Sequence, residues 1–214
     1  MNEVEFKYEM LLDFDFLTND SIVFDIGTNM GVWTEQIYNK YKPKMYCFEP
    51  AYIPYKAIEE KFGKNSDFKL FPHAIGANNR KFLLYLTNEV GGDASEYLEP
   101  IRHRHAEVEG KIRVVTQLCY EKEFSAFMEK QEINHIDLMA LNCEGAEYNI
   151  LEYLLKINYL TNIKSLLIQF HVPANGVVVK DWEKRRGDIR KGLESTHNQI
   201  WNAPDHFEMW MRKE

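Results

Sequence analysis

Val23-Phe24-Asp25-Ile26-Gly27-Thr28-Asn29-Met30-Gly31 is the stretch on which the reading of this chain turns. A short apolar strand delivers a carboxylate, and two glycines then let the backbone bend tightly beside a ligand before a helix begins. The helix is expected over Val32 to Tyr41, where Val32, Trp33, Ile37 and Tyr38 recur at roughly helical spacing. Working outward, Ser21 to Ile26 reads as the first strand, Lys44 to Phe48 as a second, Tyr52 to Phe62 as a second helix, and Asp67 to Ile75 as a third strand stopped by Gly76-Ala77-Asn78-Asn79. Strand and helix alternating in this way is the sequence form of a doubly wound parallel sheet.

The alternation resumes after a different middle. Lys81 to Leu86 and Lys111 to Thr116 both read as strands around a polar stretch containing Gly91-Gly92, an inserted loop or hairpin at about 81–116. Beyond it a helix is expected over Tyr120 to Gln131, a strand over Ile136 to Leu141, a helix over Ala146 to Leu155, a strand over Ser165 to Phe170 and a charged, exposed helix over Lys180 to Glu194. The tail, Asn198 to Trp201 and Phe207 to Met211 about Asn202-Ala203-Pro204-Asp205, reads as an antiparallel hairpin. Tyr8 to Leu17 is apolar enough to pack as a short helix on the edge. The expectation is a single α/β domain spanning 1–214: a Rossmann-like doubly wound sheet, mostly parallel, with a C-terminal antiparallel hairpin of the methyltransferase type.

The spacing after the first strand is G-x-N-x-G, so the G-x-G-x-x-G fingerprint of dinucleotide sites is not met. A pyrophosphate favours bare backbone N–H groups at a helix start. An acid ahead of the glycines suits a ligand with an ammonium group and a sulfonium, and S-adenosylmethionine carries both. Glu49, in Phe48-Glu49-Pro50 at the end of the second strand, stands near the offset of roughly 20 residues at which an acid grips ribose hydroxyls. A carboxylate accepts from both hydroxyls at once. A nicotinamide-dependent oxidoreductase is the rival reading on the same fold, and the missing fingerprint counts against it.

Composition narrows the partners. The 214 residues are 45% hydrophobic and 28% charged, an ordinary globular balance. A net charge of −7 supplies no domain-wide basic field, so no nucleic-acid partner is expected. MNEVEFKYEMLLDFDF carries acids where a signal peptide is apolar, and no apolar run approaches the roughly 20 residues of a membrane helix, so no membrane partner is expected. Cys47, Cys119 and Cys143 lack metal-ligand spacing and fit a reducing cytoplasm; no metal is expected.

These motifs, together with Ile136-Asp137-Leu138-Met139-Ala140-Leu141-Asn142-Cys143-Glu144-Gly145-Ala146-Glu147, resemble the FkbM family of methyltransferases. The family's pattern there is an aspartate at a strand end, a hydrophobe and E-G-A-E, followed by a helix. The resemblance runs from about Ile22 to about His171 and includes His73-Ala74-Ile75-Gly76. It implies S-adenosylmethionine as methyl donor and O-methylation, often of sugars or polyketide-type hydroxyls, hence a small-molecule or saccharide acceptor. By matching position, Asp25, Gly27, Asn29 and Gly31 would line the methionine part, Glu49 the ribose, and Ala74 and Ile75 would lie beside the adenine, with Pro50 and Asn142 also at the cofactor. Two departures stand out. The usual lysine and aspartate at the fourth strand's end are Ala140 and Asn142, and a usual glutamate on the fifth strand is Gln169. A catalytically silent S-adenosylmethionine-binding module is therefore a further alternative.

Methyl transfer is an in-line displacement, so alignment dominates, and an alcohol acceptor also needs a group to take its proton. Ligands of doubly wound sheets lie outside the carboxyl ends of the strands. The catalytic candidates there are His171, whose ordinary pKa suits a base, Glu144, and Asn142, which would hold donor or acceptor by hydrogen bonds. Glu147 divides between site architecture and helix-start electrostatics. Gly91 to Tyr97, including Asp93, could fold as a lid, and Arg102-His103-Arg104-His105 could hold an anion.

Overall fold

The computed structural model describes residues 10–86, 94–96, 115–173, 179–203 and 207–214. Seven strands form the main sheet: β1 (Ile22–Ile26), β2 (Lys44–Phe48), β3 (Phe68–Phe71), β8 (Leu138–Leu141), β9 (Ser165–Gln169), β10 (His197–Ala203) and β11 (Phe207–Arg212), in the order β10-β11-β9-β8-β1-β2-β3. The five strands from β3 to β9 run parallel, and β11 joins β9 antiparallel with β10 beyond it. Four strands, β4 (Ala74–Gly76), β5 (Arg80–Leu86), β6 (Ala94–Ser95) and β7 (Val115–Glu123), make a second sheet in the order β4-β7-β5-β6.

Alternation along each central strand builds two cores, because successive side chains leave a strand on opposite faces. Val23 of β1, Met45 and Cys47 of β2, Leu138 and Ala140 of β8 and Leu167 of β9 face one side. There they meet Ile37 of α1 (Val32–Tyr41), Ile58 and Phe62 of α2 (Tyr52–Phe62), and Phe14 and Leu17. Phe24, Ile26, Phe48, Met139, Leu141, Leu166 and Ile168 face the other side. They pack on Phe124 and Phe127 of α3 (Phe124–Lys130), Ile150, Leu151 and Leu154 of α4 (Glu147–Lys156), and Ile189 and Leu193 of α5 (Trp182–Leu193). Each such fully buried side chain stabilises the fold by about 1.5–3 kcal/mol relative to exposure. Helices on both faces of a mostly parallel sheet confirm the expected fold class.

Three local expectations are corrected. Leu11 to Leu17 run as turns, not as a helix; the apolar side chains Phe14 and Leu17 are anchored in the core from irregular backbone. The single strand expected over Asp67 to Ile75 is two, β3 and β4, lying in different sheets. Pro72 between them has no N–H for a ladder, so the chain leaves the main sheet there. Tyr120 to Glu123, expected as helix, is the end of β7, and α3 starts only at Phe124. Glu123 decides that boundary: its carboxylate accepts from the Ser125 and Ala126 N–H groups, capping the helix.

The α5 helix is tied to the hairpin by Glu208, which is fully buried. Its Oε1 accepts from Arg186 Nη2 at 2.7 Å and Arg190 Nη2 at 2.6 Å, and its Oε2 from Trp210 Nε1 at 3.0 Å. No helix among the described residues is long and apolar enough to cross a membrane.

Candidate active site

At the carboxyl ends of β1, β2 and β8 the backbone folds into a cradle. Gly27 has φ 89°, and a Cβ there would lie 2.1 Å from the Asn142 carbonyl oxygen, so the β1 turn and the β8 end touch backbone to backbone. No other residue type fits. Asn29 follows at φ 50°, and Gly31 caps α1 at φ 73°. A side chain on Gly31 would meet Ile58 and Phe62 of α2. Gly31 thus lets α1 and α2 pack closely, and it is not among the residues that border the two clefts described below.

Two clefts open on either side of this cradle and share Gly27, Asn29 and Asn142. The first, enclosing about 990 Å³ with its mouth, runs past Glu49 and Pro50 to Ala74, Ile75 and Gly76 on one wall and Cys143, Glu144, Asn149 and Ile150 on the other. The short strand β6 stands over it. Ser95 Oγ donates to the Glu144 carbonyl at 2.9 Å, and Glu96 takes a 2.6 Å bond from Arg80. The second cleft is bordered by Leu12, Met30, Trp33, Leu167 and Phe207, with Asp25, Gln36 and Gln169 as polar groups.

Glu49 is 6% exposed. Its Oε2 accepts from the Asn29 N–H at 2.8 Å and its Oε1 from the Ala51 N–H at 2.7 Å. Burial pushes its carboxyl up to about 7, the two N–H donors working against it. Each oxygen keeps a second lone pair. The turn carrying it is clamped from β7: Gln117 Nε2 donates to the Pro50 carbonyl at 2.8 Å, and the Tyr52 N–H donates to Gln117 Oε1 at 2.9 Å.

Asp25 points to the other side of the sheet and borders the second cleft, not the first. It accepts a short hydrogen bond from the Thr34 hydroxyl of α1, and burial pushes its carboxyl up to about 6 despite that bond. The pair expected to grip the two ends of one ligand thus borders two different clefts, which adjoin at Gly27.

His171 is 2% exposed and lines neither cleft. Its Nδ1 lies 3.3 Å from Glu147 Oε1 and its Nε2 3.6 Å from Glu144 Oε1, while its N–H donates to Glu147 at 2.7 Å. Burial alone would lower its pKa, but the Glu147 and Glu144 carboxylates outweigh it and raise the pKa to about 10. The two carboxylates favour the protonated imidazole, a form with no free ring nitrogen to take up a further proton. Glu147, fully buried, also accepts from the Gly145 N–H at 3.0 Å. The E-G-A-E stretch is thus architectural at its second glutamate: Glu144 at φ 52° and Gly145 at φ 102° turn the chain so that Glu147 folds inward beneath it.

The sequence reading missed Arg80, Glu121 and Asn149, which border the first cleft together with Glu96 of the stretch read as a possible lid. The three come from the second sheet and from α4, and no local motif marks them. Asp93, Gly91 to Gly92, Tyr97 and the Arg102 to His105 cluster lie outside the described residues. Among the described residues, no group of three or more His, Cys, Asp or Glu side chains is placed to hold a metal ion.

Residues 25–214 match the family model of the methyltransferase FkbM domain. The chain belongs to the FkbM methyltransferase family. No curated protein sequence matches it significantly. The crystal structure of methyltransferase FkbM from Methylobacillus flagellatus KT superposes on 94% of this FkbM-family chain with a TM-score of 0.56 and 12% identity. The chain spans about 45% of that protein's length. An rRNA methylase from Streptococcus thermophilus superposes over the whole chain and 98% of its own, at 10% identity and TM-score 0.49. A putative tRNA (m1A22) methyltransferase from Streptococcus pneumoniae, in complex with S-adenosyl-L-methionine, does so over 97% of this chain and 72% of its own, at 11% identity and TM-score 0.48.

S-adenosylmethionine is the cofactor of this family, and the residues present fit it. The Gly27 turn offers bare backbone, Glu49 offers free lone pairs at the end of β2, and Ala74 with Ile75 gives an apolar stretch of wall.

Proposed function

We propose that this FkbM-family chain, acting as one domain in the cytoplasm, transfers a methyl group from S-adenosylmethionine to a hydroxyl of a small-molecule or saccharide acceptor. The observation that carries this reading is the meeting of two clefts at Gly27, Asn29 and Asn142. Cofactor in the first cleft and acceptor in the second would face one another through that opening, the alignment an in-line displacement needs.

When bound, the cofactor supplies an electrophilic methyl carbon on a sulfonium. Gly27 and Asn29 cradle its amino-acid end, Glu49 accepts from the ribose hydroxyls, and Asp25 contributes negative potential from the far side of the turn. Asn142, half in each cleft, orients the acceptor hydroxyl. Glu144 borders the first cleft two residues on from Asn142 and receives the proton where the acceptor hydroxyl enters the shared opening, with His171 holding its carboxylate in place. The apolar border of Trp33, Leu12, Met30 and Phe207 keeps water from the opening.

Calorimetric titration with S-adenosylhomocysteine tests the cofactor site. Glu49→Ala should weaken binding by about 1–3 kcal/mol, the loss of a charged hydrogen-bonding group; unchanged affinity would remove Glu49 from the site. Glu144→Gln should lower kcat toward a panel of glycoside and polyketide alcohols by a much larger factor than it changes that affinity. One observation favours the silent-module reading: His171, just past β9, is buried between the Glu147 and Glu144 carboxylates, and Asn142 is an amide. That reading predicts cofactor binding with no methyl transfer to any member of the panel.

A further inference from the structure

The far end of the first cleft carries polar groups that none of the motifs accounts for. Asn149 lies in the first turns of α4, and its orientation is set from α5. Arg185 Nη2 donates to Asn149 Oδ1 at 2.8 Å, while Arg185 Nε and Nη2 grip the two oxygens of Glu152 at 2.6 and 2.7 Å. A guanidinium can only donate. The amide oxygen must therefore face Arg185, and the amide N–H groups turn away from it.

Across the cleft, Glu121 of β7 is 8% exposed and equally constrained. Its Oε1 accepts from the Asn78 N–H at 2.9 Å and its Oε2 from Arg80 Nε at 2.7 Å. The carboxylate lies against the end of β4, where a Cβ added to Gly76 would come within 2.7 Å of Oε1. Arg80 itself is shared with Glu96. Asn149 and Glu121 border both this cleft and the polar groove beside it, next to the Ala74–Gly76 wall.

We infer that Asn149 and Glu121 read the edge of the cofactor's base, the Asn149 amide donating to a ring nitrogen and the Glu121 carboxylate accepting from the exocyclic amine. This rests on S-adenosylmethionine occupying the first cleft. Adenine offers one amine donor and bare ring-nitrogen acceptors; hypoxanthine replaces the amine by a carbonyl and protonates the neighbouring nitrogen, reversing both. A site with one fixed donor and one fixed acceptor selects the first base and rejects the second, because buried polar groups would be left facing like partners. Arg185 is a positioning residue, acting on the base through Asn149.

The test is calorimetry of the full chain with S-adenosylhomocysteine and with its 6-oxo (inosyl) analogue. The wild-type protein should bind the adenosyl compound at least about tenfold more tightly. Glu121→Gln keeps the side chain's shape but turns one of its two acceptor oxygens into a donor, facing either the Asn78 N–H or Arg80, so the site loses an acceptor and the preference should shrink. Asn149→Leu should weaken the adenosyl compound about tenfold and bring the ratio toward one. Arg185→Met should lower the ratio with Asn149 still present. Thermal midpoints close to wild type confirm that the variants are folded. A wild-type protein that binds neither compound sinks the cofactor reading itself. One that binds the adenosyl compound, yet keeps an unchanged base preference in folded Glu121→Gln and Asn149→Leu, overturns this inference alone.

Discussion

At the scale of the residue, Gly27 and His171 show how differently local and distant surroundings constrain a side chain. Gly27 is required twice, by a left-handed φ and by the 2.1 Å that would separate its Cβ from the Asn142 carbonyl. Gly27→Ala should therefore cost about 1–3 kcal/mol in backbone strain alone, further destabilisation from the collision, and cofactor binding, measured by thermal melt and S-adenosylhomocysteine titration. His171, just past β9, lies 3.3 Å from Glu147 and 3.6 Å from Glu144 and acts as their counter-ion. His171→Gln leaves a fully buried carboxylate without its cation and should destabilise the fold by about 3–5 kcal/mol. If denaturant unfolding shows His171→Gln to be as stable as wild type, the ion triad carries no weight in the fold.

At the scale of the element, the helices differ in how much of them was legible. α1 and α2 begin and end where periodicity puts them, because each buries a stripe on the sheet immediately beside it. The boundary of α3 was misplaced because Tyr120 to Glu123 pair with β5 and β4, partners distant in sequence. α5 contains two glycines with opposite meanings. Gly192 is needed, since a Cβ there would meet the Leu155 side chain of α4 at 2.5 Å, whereas Gly187 has open space around it. Gly187→Ala should raise stability by about 0.5–1 kcal/mol by removing glycine's entropy cost inside a helix. A lowered melting temperature in this variant would mean that α5 sits closer to another part of the chain than the structure shows.

At the scale of the whole molecule, protons and cofactor act on the same groups. Asp25, Glu49 and His171 all bind a proton more tightly folded than unfolded, with values raised to about 6, 7 and 10 from 3.8, 4.5 and 6.5. Their contribution to stability is fully present below the unfolded values and is lost as pH rises through the folded ones. From these groups the melting temperature of the cofactor-free protein should decline between pH 5 and 10, and His171→Gln should flatten the part above pH 7. S-adenosylmethionine, carrying a sulfonium charge, favours ionised Asp25 and Glu49, so its affinity should rise between pH 5 and 8. Calorimetry across that range checks the sign; affinity that falls as these carboxyls ionise would place the sulfonium elsewhere.

The glycine turn after β1, the acid at the end of β2, the alternation of strand and helix and the closing hairpin were all written in neighbouring residues. Backbone torsions and side-chain periodicity are local properties, and a chain states them without reference to its fold. The E-G-A-E stretch was legible as a motif but not as an architecture. Which side of the sheet Asp25 faces, the division of the crevice into two clefts, the inward turn of Glu147, the charge on His171 and the arrival of Asn149 and Glu121 at one cleft were decided only by tertiary structure. Burial and electrostatic potential are sums over groups brought together from β4, β7, α4 and α5, and no window of sequence contains those terms.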